Sequence, residues 1–319
     1  MRSSGAPAPA SPLAQEVRAG LSRRPKALSP WLFYDAAGSA LFEEITRLPE
    51  YYLTRTEQRI LDWYADTVAE AAGPEVTLVE LGAGTARKTR TLITALLRRQ
   101  PRLHYFPLDV SAAALGVAAR QLHADFPALH VEPIVTDYTR DAGPLARLPG
   151  RRLVLFLGSS IGNYEPAAAG ALLGGLRAHA LRPGDALLVG TDLAKSAELL
   201  LPAYDDAAGV TARFNKNVLV RINRELGGDF DPGRFDHVAL WNAAASRVEM
   251  HLESRRRQRV RVGALGLEVV FDRQERLHTE SSYKFTRSML AQVVLAAGLR
   301  LERTWTDHRG WFALHLLRV

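Results

Sequence analysis

Residues 76–89 read Val76-Thr77-Leu78-Val79-Glu80-Leu81-Gly82-Ala83-Gly84-Thr85-Ala86-Arg87-Lys88-Thr89. A run suited to a buried strand stops at two glycines, and the segment beyond puts Leu92, Ile93, Leu96 and Leu97 on one helical stripe. Glycines there let the backbone approach a ligand, and the N-terminus of the following helix favours negative charge. The same turn also serves as a plain tight connection between strand and helix, so the neighbouring segments must decide.

Outward from that turn the rhythm repeats. Residues 104–108 read as a second strand, 111–124 as a helix capped by Ser111, and 130–135 as a third strand. Residues 153–157, with no polar side chain, suit a central strand covered on both faces. Pro166 fits the first turn of a helix, and 186–189 form a fifth strand with Thr191-Asp192 at its end. Strands alternating with helices imply a parallel, doubly wound α/β sheet, because parallel neighbours need a crossover. Ligands of such sheets sit beyond the carboxyl ends of the strands. Gly82-Ala83-Gly84, Asp109, Asp137, Gly158-Ser159-Ser160 and Asp192 thereby become one candidate rim.

After about Lys195 the pattern changes. A helix is expected over 207–225, then a loop at Gly227-Gly228-Asp229, then short alternating runs at 238–241, 247–252, 259–262 and 267–271, as in antiparallel sheet. Residues 289–297 read as a helix closed by Gly298. The strands 301–306 and 312–318 form a terminal antiparallel hairpin able to complete the first sheet. The division expected is a tail over 1–14, a Rossmann-like domain over 57–194 and 285–319, and a second, α+β substrate-binding domain over 15–56 and 195–284.

Two features choose among nucleotides. A dinucleotide site calls for a third glycine where Arg87 stands, which disfavours a nicotinamide dehydrogenase. Asp109, ending the second strand, can accept from both hydroxyls of a ribose. Glu80 can meet an ammonium group, which S-adenosylmethionine (SAM) has and NAD lacks. Asp137 and Tyr138 offer a carboxylate for an adenine amino group and a ring for its face. The set favours SAM, while Asp109 or Asp137 taken singly would also serve as a helix cap.

The chain has 319 residues, 47% hydrophobic and 24% charged, which excludes collagen, coiled-coil and disordered classes. It has no cysteine, so disulfide scaffolds, thiolate zinc sites and Cys nucleophiles are excluded. The formal charge is +7, nearly all from scattered arginines; the one dense run, Arg255-Arg256-Arg257, reads as a solvated face rather than a nucleic-acid patch. No stretch approaches the roughly 18 apolar residues of a membrane span. The segment 1–12 lacks a signal-peptide core, and a cytoplasmic protein is expected.

Several segments carry a specific resemblance. They are Pro25-Lys26, Phe33-Tyr34-Asp35, Gly38-Ser39, Leu41-Phe42, Ile45-Thr46-Arg47-Leu48-Pro49-Glu50-Tyr51-Tyr52 with Thr54-Arg55, residues 80–85 with Lys88-Thr89, Gly158-Ser159-Ser160-Ile161-Gly162-Asn163, and His278-Thr279-Glu280-Ser281-Ser282-Tyr283-Lys284-Phe285. Together they resemble the histidine Nα-methyltransferase family of ergothioneine biosynthesis, over nearly the whole chain after residue ~15. The resemblance implies a class I SAM-methyltransferase fold and the trimethylation of L-histidine to hercynine. It places SAM against Tyr52, Gly82, Lys88, Asp109, Asp137 and Tyr138, beside Glu80 and Gly84 of the turn. It places the substrate carboxylate at Asn163 and Tyr204, the amine near Tyr34 and the Gly158 carbonyl, the imidazole at Glu280 and Ser282, and pocket walls at Phe214 and Met250. Tyr34 and Asn163 are the expected catalytic residues. Many relatives carry Asn where this chain has Ser281; in a strand that residue points away from its neighbours' face.

The residues agree with that assignment. Glu280 and Ser282, at i and i+2, share one face of a strand. A carboxylate accepts from one imidazole N–H while a hydroxyl serves the other nitrogen, a match an indole cannot make. The expected partners are SAM and a small amino acid, with no metal, nucleic acid or membrane, and a monomer is expected. The rivals are the same chemistry on another amino acid such as tryptophan, and a non-catalytic SAM- or RNA-binding module.

Overall fold

A computed structural model describes residues 11–319. Its strands are β1 (Val76–Leu81), β2 (Leu103–Asp109), β3 (Leu129–Val131), β4 (Ile134–Val135), β5 (Arg151–Phe156), β6 (Ala186–Asp192), β7 (Phe235–Asn242), β8 (Arg247–Ser254), β9 (Gln258–Val262), β10 (Leu267–Phe271), β11 (Arg276–Tyr283), β12 (Arg300–Thr306) and β13 (Phe312–Arg318). The chain divides into two compact units. One takes Leu53–Lys195 with Tyr283–Val319, the other the described residues up to Tyr52 with Ser196–Ser282.

The first unit is built on a sheet ordered β12-β13-β6-β5-β1-β2-β3, with β4 also pairing β2. β1 pairs in parallel with β2 and β5, and β5 with β6, whereas β13 runs antiparallel between β6 and β12. The chain therefore leaves β1 toward β2 on one side and resumes on the other with β5, which makes the carboxyl ends of β1 and β5 the switch point where ligands bind. Alternate side chains feed two cores. Leu78, Tyr105, Leu155 and Leu188 pack with Ile60, Leu61 and Val68 of the helix Tyr52–Ala72. Val79, Phe106, Val154 and Leu187 pack with Leu173, Leu176 and Val293.

Three expectations meet a different local structure. The third strand is two short pieces, because Pro107 of β2 has no N–H to offer the Glu132 carbonyl and the ladder lapses there. The helix expected from 207 starts at Val210: the Asp206 carboxylate accepts from the N–H groups of Val210 (2.9 Å) and Thr211 (2.7 Å), while Gly209 turns left-handed. Of the stretch read as a tail, residues 1–10 lie outside the described residues, but Pro12–Ser22 is a helix. Ser11 caps it, accepting from Ala14 N–H at 3.2 Å, with Pro12 in the first turn.

In the second unit β11, β8 and β7 form one sheet and β9 and β10 an antiparallel pair. Val248, Met250, Leu252 and Ser254 of β8 are buried and alternate with partly exposed residues, the pattern of a sheet with one covered face. The helix Val210–Leu226 ends at Gly227, whose φ of +61° suits a glycine. Asp35 caps the helix Ala36–Ile45 through Gly38 N–H (2.7 Å) and also accepts from Asn217 (2.8 Å) and Arg224 (2.7 Å), locking the two helices together.

Candidate active site

In the sheet unit, the rim starts where β1 runs into the glycine turn. Gly82 and Gly84 have φ of +69° and +51°, a region that a side chain disfavours. The N–H groups of Gly82 and Ala83 both donate to Leu108 O (2.8 and 3.0 Å), fastening the turn to the end of β2. Asp109 braces it further: one carboxylate oxygen accepts from Gly84 N–H and the other from Ser111 N–H, each at 2.9 Å. The helix cap is Ser111, accepting from Ala114 N–H at 3.2 Å. A Cβ on Gly84 would meet nothing within 4 Å, and one on Gly82 would lie 3.7 Å from the Tyr138 hydroxyl. Bare backbone with open space beside it, an acid after β2 and an aromatic ring alongside are a donor set that fits SAM.

Tyr138 meets Phe156 edge-on with centroids 5.9 Å apart. Asp137 accepts from the N–H (3.1 Å) and hydroxyl (2.5 Å) of Thr139 and pairs with Arg140 at 3.4 Å. Two other expected residues are engaged by the protein itself. Glu80 is fully buried, and its Oε2 accepts from the Thr89 hydroxyl (2.6 Å) and from Tyr105. Burial pushes its carboxyl up to about 7, against the pull of those two hydroxyls. Lys88 forms an ion pair with Glu57, a residue the sequence reading missed.

Glu57 joins two loops of the rim. Besides Lys88, just before the helix Thr89–Leu97, it accepts from Gly158 N–H after β5 through both oxygens (2.9 and 3.0 Å). A Cβ on Gly190 of β6 would collide with the Glu57 carboxylate, so the strand needs a glycine there. The signal was legible: Glu57 falls on the apolar stripe Leu53, Ile60, Leu61 and Val68, where an acid has no reason to be unless it has partners. Beyond Gly158 (φ +75°), Ser159 is left-handed and Asn163 sits, half-buried, at the end of a short 3₁₀ turn. Ser159 Oγ accepts from Asp192 N–H (2.9 Å), and the buried Asp192 carboxylate is paired with Lys284 (2.9 Å) and Lys195 (2.6 Å). Asp192 thus serves the fold of the rim.

In the second unit, Tyr34, Phe42 and Phe214 come together. Tyr34 meets Phe42 at 5.7 Å and Phe214 at 5.8 Å, both edge-on, and Phe42 lies 6.0 Å from Phe214. Tyr51 meets Phe42 edge-on at 6.1 Å, and Tyr52 beside it is buried at the start of its helix. Tyr204 and Ser282, far apart in sequence, share a buried hydrogen bond of 2.8 Å between their hydroxyls. Glu280 and Ser282 of β11 are both buried, whereas Ser281 between them is half-exposed and its hydroxyl lies 2.9 Å from His278 Nε2. Met250 of β8 is buried, and its carbonyl accepts from Thr279 Oγ1 at 3.0 Å.

His237 was also missed in the sequence. Its Nδ1 takes the Asn215 amide (2.8 Å), which leaves Nε2 to donate to Tyr204 O (2.7 Å). Burial holds its pKa below the ordinary range, so the ring stays neutral and fixes the backbone that carries Tyr204. The strand expected from 238 begins at Phe235, so His237 lay in a segment read as loop.

The sequence has relatives. A 307-residue stretch covering 96% of this chain is 48% identical to the histidine N-alpha-methyltransferase of Mycolicibacterium smegmatis, over 95% of that protein. Ergothioneine biosynthesis protein 1 of Schizosaccharomyces pombe is 30% identical over 85% of this chain and 36% of its own, longer chain. The 4-dimethylallyltryptophan N-methyltransferase of Claviceps purpurea is 25% identical over 96% of this chain and 95% of its own. The profile of a family described as histidine-specific methyltransferase, SAM-dependent, matches residues 13–319, and the chain belongs to that family.

Proposed function

We propose that the protein transfers three methyl groups in succession from SAM to the α-amino nitrogen of L-histidine, giving hercynine in the first step of ergothioneine biosynthesis. Within a chain of this family, the reading is carried by the buried polar set Glu280, Ser282 and Tyr204. SAM supplies an electrophilic methyl whose positive charge passes to nitrogen, so little net charge develops.

The work of the chain is therefore holding and aligning. In this reading the backbone of Gly82 and Gly84 with Asp109 receives the ribose side of SAM, Asp137 and Tyr138 its adenine, and Tyr52, Glu80 and Lys88 complete the site. Asn163 and Tyr204 grip the substrate carboxylate, Tyr34 and the Gly158 carbonyl lie by the amine, and Phe214 and Met250 wall the pocket. Glu280 accepts from one imidazole N–H and Ser282 serves the other nitrogen. A guest that leaves such buried groups unpaired forfeits about 1–3 kcal/mol for each. A peptide α-amino group titrates near ~8 and that of a free amino acid somewhat higher; bulk base or the polar wall of Tyr34 and Asn163 takes the proton, with no strong general base. Tyr34 and Phe42 offer ring faces to the cationic product.

No described helix is long and apolar enough to cross a membrane. In this reading the protein is a cytoplasmic monomer without a nucleic-acid or membrane partner; several surface arginines pair with acids, as in Arg213–Glu44, Arg255–Asp236 and Arg259–Glu268, which lessens the free positive charge a nucleic acid would need. The test is to incubate the pure protein with SAM and each proteinogenic amino acid and weigh the products. Three added methyls on histidine alone are expected; methylation of tryptophan instead, or no product, overturns the reading.

A further inference from the structure

The amino ends of β2 and β3 carry a group of side chains that the methyl transfer does not use. His104 and His130 are register partners on these parallel strands, and Glu132 follows His130 by two residues. Strand alternation puts all three on one face. His104 shares the side of β2 that carries Phe106, opposite Leu103 and Tyr105, and His130 and Glu132 lie opposite Leu129 and Val131. The His104 and His130 rings stand 5.2 Å apart at 65°, and His130 Nε2 lies 2.9 Å from Glu132 Oε1. One ligand atom from each of the three falls within 4.8 Å of the others.

We propose that His104, His130 and Glu132 form a three-ligand site for a divalent transition ion of the zinc and cobalt class, completed by water. Two imidazoles and a carboxylate are the donor set that borderline ions select, and three protein ligands with one open position is a common tetrahedral arrangement. Around such an ion, ligand atoms stand roughly 3.3 Å apart, given metal–ligand bonds of about 2.0–2.2 Å. Small rotations of exposed side chains close the remaining gap. His130 and Glu132 are 61% and 53% exposed, so an ion enters from solvent and keeps water in the open position. The strands supply the order: the cross-strand pair sets the two rings side by side, and the hydrogen bond holds Glu132 against His130.

The site is remote from the rim. His104 is the second residue of β2 and Asp109 its last, a separation of about 16 Å at ~3.3 Å per residue. The ion is no part of the methyl transfer, and the proposal stands whatever the substrate.

The test titrates the full-length protein, free of SAM and histidine, with Zn²⁺ by calorimetry and with Co²⁺ by visible absorption. One site per chain is expected, with Co²⁺ giving the intense bands of tetrahedral coordination. His104→Ala and His130→Ala should each weaken Zn²⁺ by about tenfold or more, and Glu132→Gln by less. His308→Ala, an exposed histidine elsewhere, should change nothing. SAM affinity equal to that of the unaltered protein shows that each variant is folded. No saturable Zn²⁺ binding, or equal binding by the His130→Ala variant, overturns the proposal.

Discussion

In the sheet unit, the groups that would meet SAM are held by backbone: two left-handed glycines, N–H groups stapled to Leu108 O, and a carboxylate that ties the turn to the next strand. In the other unit, the groups that would read the imidazole and wall its pocket are side chains on a sheet and on packed helices, joined by Tyr204–Ser282 and by the contacts of Tyr34, Phe42 and Phe214. A backbone cradle suits a cosubstrate that many enzymes share, because it reads little beyond charge and shape. A side-chain pocket is what distinguishes one amino acid from another. Changes at Gly82, Gly84 and Asp109 should therefore act on SAM alone, and changes at Glu280, Ser282 and Tyr204 on the choice of acceptor.

The sharpest way to break that contrast is Asp109→Ala. It deletes the expected ribose acceptor and frees the N–H groups of Gly84 and Ser111. SAM affinity by calorimetry should fall by about a hundredfold or more, since a ligand contact and a brace are lost together. Affinity like that of the unaltered protein would remove the turn from SAM binding.

Glu57→Gln comes next. The amide keeps the size but not the charge that Lys88 and Gly158 N–H share. Hydrogen bonds to charged groups contribute roughly 1.5–3 kcal/mol; that loss should appear in urea unfolding, with weaker SAM binding. Unchanged stability would mean that the two rim loops are held by other contacts.

Glu280→Ala tests the other region. It should lower kcat/KM for histidine by about tenfold or more while SAM affinity stays the same. A fall in SAM affinity as large as the fall in turnover would dissolve the distinction between the two regions.

Much of the backbone cradle was legible in the sequence, because its signals are local: a strand run ending at Gly82, the Ser111 cap, and the hydrophobic β5 strand. The rest of the rim was harder to read. Glu57 acts on Lys88 and Gly158, residues remote in the chain, and only its place on an apolar stripe betrays it. The place of Glu80 before the glycines was readable, but not that two hydroxyls, one from β2 and one from the helix Thr89–Leu97, use one of its oxygens. In the side-chain region, the spacing of Glu280 and Ser282 was readable. The link from His237 to Tyr204 was not, since it depends on tertiary packing between a strand and a distant loop.

The smallest expected effect lies inside that region, one residue from the largest effect on acceptor choice. Ser281→Asn places an amide between Glu280 and Ser282, as the resemblance implies for this position. In this structure Ser281 is turned to His278, whose pKa is pushed down to about 4 by burial and then by the neighbouring His251. His278 is therefore neutral at pH 7, and an amide can donate to or accept from whichever ring nitrogen faces it. The substitution should leave kcat/KM for histidine within about twofold, the scale of a half-exposed change that breaks no buried contact. A tenfold change would mean that the middle residue of Glu280-Ser281-Ser282 takes part in reading the guest.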